Sequence, residues 1–140
     1  MKRLVVDASV AVKWFVPELH SEAAARLLDP EFIVSAPDLI GAELGNTVWK
    51  KVRRQEITRE EAAEILTAFP SMGVEIYPSS ALLLPAFELA AALDRTVYDS
   101  LYLALAVAQN GPLITADRKF HAAVLESPLA SHIRWIDDNW

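Results

Sequence analysis

The chain has 140 residues, a formal net charge of −6 at pH 7 and no cysteine. Its length predicts one domain over residues 1–140, large enough to bury a core without disulfides or a structural metal. The lack of cysteine excludes thiolate zinc sites and cysteine nucleophiles, and the acidic balance disfavours non-specific adhesion to nucleic acid, because counterion release needs surplus Lys and Arg.

The first half of the chain alternates short apolar runs with helical patterns. The predicted elements are a strand over residues 2–7, a short helix stopped by Pro17, a helix over 21–28, a strand over 32–35, a long helix from Pro37 to about Gln55, and a helix that begins after Thr58 and ends near Pro70. Thr58 and Glu61 have the spacing of a capping box, which supports the start of that last helix.

The second half continues the alternation. The predicted elements are a strand over residues 74–77, a helix over 80–93, a helix from about Asp99 to Gln109, a strand over 112–115, a helix over 118–125 and a strand over 132–136. Pro85 disfavours the interior of its helix, so a start near Leu84 or a kink is expected. The pattern predicts an α/β fold, a three-layer α/β/α sandwich with a mainly parallel central sheet.

No secretion signal or membrane span is expected. The N-terminal apolar run is interrupted at Asp7, before it reaches the length of a signal peptide. The longest uncharged stretch, residues 100–116, contains Gly111 and Pro112, so it predicts a helix, a turn and a strand. We therefore expect a cytoplasmic protein without a membrane partner.

Four acidic residues have unusual surroundings. Asp7 and Asp117 each follow an apolar strand, Glu43 borders the apolar stripe of the long helix, and Asp99 opens a helix without other charges. Each one alone favours a structural role, such as a helix cap. If the two strands are neighbours, however, Asp7 and Asp117 meet at the sheet edge where ligands bind, and they repel each other unless a cation is present. Convergent carboxylates favour Mg²⁺ or Mn²⁺ and predict a phosphodiesterase that uses a metal-activated water.

The motifs around these residues resemble the PIN-domain ribonuclease family, and within it the VapC-like toxins of prokaryotic toxin–antitoxin pairs. VVDASV, APDLIGAELGNTVWK, YDSLYLALA and LITADRKF occur in the order and approximate spacing of that family, over essentially the whole chain. The resemblance implies a PIN-like fold, Mg²⁺-dependent RNA cleavage with Mn²⁺ as a substitute, a cognate antitoxin as partner and a homodimer. It implies catalytic and metal-binding roles for Asp7, Glu43, Asp99 and Asp117, and a supporting role for the hydroxyl of Thr115.

Ser9 and Asn46 are predicted to support the acidic residues. Asn46 lies three residues after Glu43, so the two share a helix face and are within reach of a hydrogen bond. Ser9 follows Asp7 closely, and a cap on the first helix is an equally good interpretation of it.

Arg118 and Lys119 lie beside Asp117 and are predicted to contact the phosphates of RNA. A second basic cluster closes the long helix: Lys50, Lys51, Arg53 and Arg54. These residues suit the negative end of the helix dipole, which favours a solvated helix end over phosphate contacts. Tyr98 and Tyr102 share a helix face and are interpreted as packing residues.

Two alternative functions use the same acidic pocket. A phosphohydrolase or phosphotransfer domain would use Asp7 as nucleophile, but the phosphatase version needs a second Asp two residues later, where this chain has Ser9. A non-catalytic module would bind a metal or a basic peptide through the carboxylates without turnover.

Overall fold

The computed structural model describes all 140 residues, and a five-stranded sheet lies at its centre. The strands are β1 (Lys2–Val6), β2 (Phe32–Pro37), β3 (Glu75–Tyr77), β4 (Leu113–Thr115) and β5 (Ile133–Trp135). They are arranged in the order β3-β2-β1-β4-β5, and every neighbouring pair is parallel.

Seven α-helices surround the sheet. They are α1 (Ala8–Ala11), α2 (Ser21–Ala25), α3 (Leu39–Arg53), α4 (Arg59–Ala68), α5 (Leu83–Leu93), α6 (Val97–Ala108) and α7 (Arg118–Leu125). Short 3₁₀ segments follow or precede them at Val12–Trp14, Arg26–Leu28, Phe69–Met72, Ser79–Leu82 and Ala130–His132. None of these helices combines the length and the apolar composition needed to cross a membrane.

The helices form two layers. Because crossovers between parallel strands are right-handed, α1 to α4 cover one face of the sheet and α5 to α7 cover the other. The packing agrees, since α3 contacts α1 and α4, while α6 contacts α5 and the strands β1, β2 and β4. Thirty-three buried hydrophobic residues form one core cluster. The predicted three-layer sandwich is confirmed, and its sheet is entirely parallel.

Two prolines decide where helices begin. Pro37 is the last residue of β2, and α3 begins at Leu39. The predicted start of this helix at Pro37 is therefore wrong by two residues. Pro85 is the third residue of α5, where its missing N–H costs nothing because the first N–H groups of a helix have no partner within it. The expected late start of α5 is therefore confirmed.

Side-chain caps begin two other helices. Both hydrogen bonds of the capping box between Thr58 and Glu61 are present at the start of α4, as predicted. The helix α6 begins two residues earlier than expected, because the Thr96 side chain accepts a hydrogen bond from the Asp99 N–H at 3.0 Å and acts as the cap. Asp99 thus lies in the first turn, where the helix dipole favours a negative charge.

The order of the strands reverses at β1. The chain builds β2 and β3 on one side of β1 and then returns to add β4 and β5 on the other side. The turn before β4 needs a glycine, because a Cβ atom on Gly111 would lie 2.6 Å from the Arg3 carbonyl oxygen. In such a sheet, ligands bind beyond the carboxyl ends of the strands at the reversal, which here are the ends of β1 and β4.

Candidate active site

A cavity of about 490 Å³ opens at the carboxyl ends of β1 and β4, and all four predicted carboxylates line it. Asp7 directly follows β1, and Asp117 lies two residues beyond β4. Glu43 comes from α3 on one face of the sheet, and Asp99 comes from α6 on the other. Four separate elements therefore bring these side chains to one place.

Asp7 is the most buried of the four, with 8% of its surface exposed. Its Oδ1 accepts hydrogen bonds from the Ser9 hydroxyl at 2.5 Å and from the Val10 N–H at 3.2 Å, and its Oδ2 accepts one from the Thr115 hydroxyl at 2.5 Å. These bonds favour the ionised form, but burial outweighs them and raises the pKa of Asp7 to about 6, with the charge of Asp117 adding to the rise.

The two hydroxyls are held in place by backbone N–H groups. The Ser9 oxygen accepts from the Ala116 N–H at 3.0 Å, and the Thr115 oxygen accepts from the Asp117 N–H at 3.0 Å. Each hydroxyl has one hydrogen, so it can serve both contacts only by donating to Asp7. Asp7, and not Ser9, is the N-cap of α1, so the Ser9 side chain holds the carboxylate instead of capping the helix.

Glu43 and Tyr102 both line the cavity, and each affects the pKa of the other. Burial raises the pKa of Glu43, the nearby Tyr102 hydroxyl opposes the rise, and the charge of Asp99 adds to it. The Tyr102 hydroxyl is buried and forms no hydrogen bond within the chain. Burial, followed by the proximity of Glu43, raises the pKa of Tyr102 far above its usual value. The sequence had indicated only a packing role for this tyrosine.

Asp99 and Asp117 have different local partners. The guanidinium of Arg95, which lies four residues before Asp99, donates to Asp99 Oδ2 at 2.8 Å. It also lies 5.4 Å from the centre of the Phe120 ring. Asp117 caps α7 by accepting a hydrogen bond from the Phe120 N–H at 3.1 Å. Of the four carboxylates, Asp99 alone has a cationic side chain within 4 Å.

The chemistry of this donor set fits a hard divalent cation. Every candidate ligand is a carboxylate, and Mg²⁺ and Mn²⁺ prefer oxygen ligands. As the side chains lie, however, no three Asp, Glu or His groups converge closely enough to hold a metal ion. Asp99 is engaged by Arg95, and both oxygens of Asp7 are engaged by hydroxyls. A set of three ligands therefore requires side chains to move.

Of the remaining predicted site residues, Asn46 lines the cavity and the two basic residues do not. Asn46 lines the cavity beyond Glu43, but no hydrogen bond joins the two side chains. Arg118 stacks its guanidinium 4.2 Å above the Trp135 ring, and neither Arg118 nor Lys119 lines the cavity. Their contacts with RNA stay a prediction.

Lys50 and Tyr98 also line the cavity, although the sequence indicated a solvated helix end for Lys50 and packing for Tyr98. Lys50 lies in its wall, seven residues after Glu43 on α3, and Tyr98 lies beside Asp99 on α6. The spacing of Lys50 was a usable signal, because residues seven apart share a helix face. Arg95, whose contact with Asp99 follows from a spacing of four, could have been found in the same way.

The chain matches the family model described as PIN domain over residues 4–124. It is 37% identical over 121 residues to a protein named Ribonuclease VapC3 from Pyrobaculum aerophilum, and the match covers 84% of this chain and 91% of that protein.

Two solved structures share the fold. The sarcin–ricin loop cleaving toxin VapC20 of Mycobacterium tuberculosis matches with a TM-score of 0.65 and 18% identity, over 86% of this chain and 94% of that one. VapBC2 from Rickettsia felis, bound to a DNA fragment from its promoter, matches with a TM-score of 0.67 and 21% identity, over 95% of this chain and 98% of that one. The family match and the relative at 37% identity show that the chain belongs to the PIN-domain family and, within it, to the VapC-like proteins.

Proposed function

We propose that this protein is a metal-dependent endoribonuclease that acts as the toxin of a toxin–antitoxin pair. The observation that carries the proposal is the placement of four carboxylates around one cavity at the strand reversal, with Asp7 buried at its base. A buried carboxylate without a cationic partner destabilises the fold, so its presence is better explained by a ligand than by capping, which Asn or Ser would perform as well. The name of the Pyrobaculum relative supports RNA as the substrate.

Asp7, Glu43, Asp99 and Asp117 are the residues that would hold Mg²⁺ or Mn²⁺. When bound, such an ion would offset the charge of the attacked phosphate and lower the pKa of a bound water. Ser9 and Thr115 fix the orientation of the Asp7 carboxylate through their hydroxyl hydrogens. We assign the proton of the attacking water to Glu43, because its pKa is raised by burial and because Asp7, the other carboxylate with a raised pKa, is held by hydroxyls on both oxygens.

The proposed partner is a cognate antitoxin. The structural similarity to VapBC2 of Rickettsia felis supports a protein partner for this chain. By family resemblance, a segment of the antitoxin would enter the acidic cavity and present a basic side chain to the carboxylates, where the uncompensated negative charge favours it.

The phosphotransfer alternative is disfavoured by the surroundings of Asp7. The phosphatase version needs a second Asp two residues after its nucleophile, where this chain has Ser9. The Ser9 hydroxyl donates to Asp7 Oδ1, so this side chain holds the carboxylate and supplies no second acid. Detection of a phosphate covalently bound to Asp7 would restore this alternative.

The test is to incubate the purified protein with total RNA, with Mg²⁺ or with EDTA, and to map the new 5′ ends. We expect cleavage at discrete positions that requires the metal. The Asp99→Asn variant, purified identically, is the control for contaminating nuclease and should produce no new ends. Undiminished cleavage in EDTA would contradict metal dependence, and tight antitoxin binding without cleavage of any RNA would favour the non-catalytic module.

A further inference from the structure

One face of α3 runs from the acidic cavity to a basic surface. Lys50 lies seven residues after Glu43, a spacing that keeps the two on the same side of the helix, and Arg53 and Arg54 follow in the last turn and at the C-cap. At 1.5 Å per residue, Lys50 is about 10 Å from Glu43 along the axis and Arg53 about 15 Å. A second hollow, of about 310 Å³, is lined only by Lys50, Arg53 and Arg54, and Lys50 belongs to both hollows.

These three cations are free. Lys50, Arg53 and Arg54 are exposed, and their side chains form no salt bridge and no hydrogen bond within the chain. Lys51, in the same stretch, contacts Glu18 at 2.6 Å and Glu56 at 3.5 Å. In a chain with a net charge of −6, the basic cluster of Lys50, Arg53 and Arg54 is therefore a local concentration of uncompensated positive charge.

The helix dipole accounts for only part of this arrangement. Cations near the last turn stabilise a helix by roughly 0.3–1 kcal/mol each, and any position around that turn would serve. The dipole does not explain why Lys50 lines both the acidic cavity and the hollow of Arg53 and Arg54, while its neighbour Lys51 is held by Glu18. This shared lining instead fits a polyanion that lies across both hollows.

We propose that the basic cluster of Lys50, Arg53 and Arg54 binds the phosphate backbone of single-stranded RNA next to the bond that is cut. This inference rests on the proposed function, because it assumes that RNA reaches the carboxylates. The carboxylates repel phosphates, so flanking cations are needed to hold the strand across the cavity. Contacts with phosphates position a strand without reading its sequence, so the cluster contributes affinity and not sequence preference.

The test compares two double variants that remove the same charge. Arg53→Gln/Arg54→Gln removes two cations of the basic cluster, and Lys2→Gln/Arg3→Gln removes two exposed cations from the start of β1, at the opposite end of the sheet from the cavity. Both are made in the Asp99→Asn background and studied in EDTA, so that the RNA stays intact. Binding of a fluorescein-labelled single-stranded RNA oligonucleotide of mixed sequence is measured by anisotropy over a range of KCl concentrations.

We expect the Arg53→Gln/Arg54→Gln variant to bind RNA more weakly, on the order of tenfold at low salt, and equally so for oligonucleotides of different sequence. The slope of log K against log salt should fall in magnitude by about 1.4, because each phosphate contact with a single strand contributes about 0.7. The Lys2→Gln/Arg3→Gln variant should change neither quantity. An unchanged thermal midpoint in both variants shows that the fold is intact.

Equal losses in the two variants, or an unchanged salt slope in the Arg53→Gln/Arg54→Gln variant, would overturn the inference. So would unchanged RNA binding together with weaker antitoxin binding, which would assign the cluster to the protein partner. The outcome is separable from the proposed function. Cleavage by the chain with Asp99 intact, with no effect of the double variant on binding, removes this inference alone, whereas cluster-dependent binding without any cleavage removes the nuclease proposal alone.

Discussion

Asp7 and Asp38 follow two neighbouring strands of the same sheet, and each accepts hydrogen bonds from a serine, yet their carboxyl groups are affected in opposite directions. Asp38 is exposed, and hydrogen bonds from the hydroxyl and N–H of Ser79 lower its pKa. Asp7 is buried, and the loss of hydration raises its pKa despite three hydrogen bonds. An Asp at the end of a strand therefore shows only that the residue lies at this edge of the sheet. Burial distinguishes Asp7, the candidate reactive carboxylate, from the exposed Asp38.

The largest expected difference between the two is in RNA cleavage. Asp7→Asn should lower the initial rate by about 100-fold or more, as expected when a group that acts on the transition state is lost. Asp38→Asn, the matched change at the other strand end, should retain a rate within about threefold of the unmodified protein, because Asp38 does not line the cavity. The rates are measured with labelled RNA and Mg²⁺. Equal rates in the two variants would break the distinction.

The pH dependence of stability should also separate the two residues. In the folded protein the pKa of Asp7 is raised from 3.8 to about 6, so the ionised carboxylate destabilises the fold above pH 6 and this penalty disappears towards pH 4. Two pKa units correspond to about 3 kcal/mol. In metal-free buffer at pH 7, Asp7→Asn should therefore increase the free energy of unfolding by up to about 3 kcal/mol, and the gain should vanish as the pH falls to 4.

Asp38→Asn is the control for this measurement and should have the opposite sign. Because the pKa of Asp38 is lowered in the folded state, its carboxylate stabilises the fold above the pKa of the unfolded chain, and that contribution is lost on acidification. Urea unfolding followed by circular dichroism, repeated from pH 4 to pH 7, gives both curves. A gain for Asp7→Asn that does not vary with pH would show that burial does not raise the pKa of Asp7.

The hydroxyls around Asp7 are expected to contribute less. Thr115→Val removes the donor to Asp7 Oδ2 and the acceptor of the Asp117 N–H, and should lower the free energy of unfolding by about 1–3 kcal/mol. Thr67→Val, which removes an exposed hydroxyl bonded to the Ala63 carbonyl, should change it by less than about 0.5 kcal/mol. Denaturant unfolding of both variants tests the difference, and similar values would remove the special role of Thr115.

The smallest expected effect concerns Arg95. The partly exposed pair between Arg95 and Asp99 is worth about 0.2–1 kcal/mol, so Arg95→Gln should release Asp99 and tighten Mn²⁺ binding by up to about fivefold. Titration calorimetry measures the affinity directly, and Arg26→Gln serves as the control because Arg26 stacks on Trp140 and does not line the cavity. Weaker binding by Arg95→Gln would show that Arg95 supports the ligand set instead of competing with it.

Local patterns in the sequence were enough to determine the alternation of strands and helices, the capping box at Thr58 and the late start of α5 around Pro85. Such features depend on residues within a few positions of one another, so they can be recognised without knowledge of the rest of the chain. The same holds for the candidate carboxylates, since each was selected for its neighbours in sequence. The start of α6 was misplaced by two residues because the capping role of Thr96 went unrecognised.

Tertiary structure decided which of these local features meet. Only the order β2-β1-β4 places the Thr115 hydroxyl on Asp7 across a separation of 108 residues, and only the packing of both helix layers around Asp7 removes it from water. The position of Lys50 in the cavity wall likewise depends on how α3 lies against the sheet. Strand pairing and burial are sums over distant contacts, and no local pattern contains them. The sequence alone therefore determined which carboxylates were available. The fold determined that they share one cavity and that burial raises the pKa of Asp7.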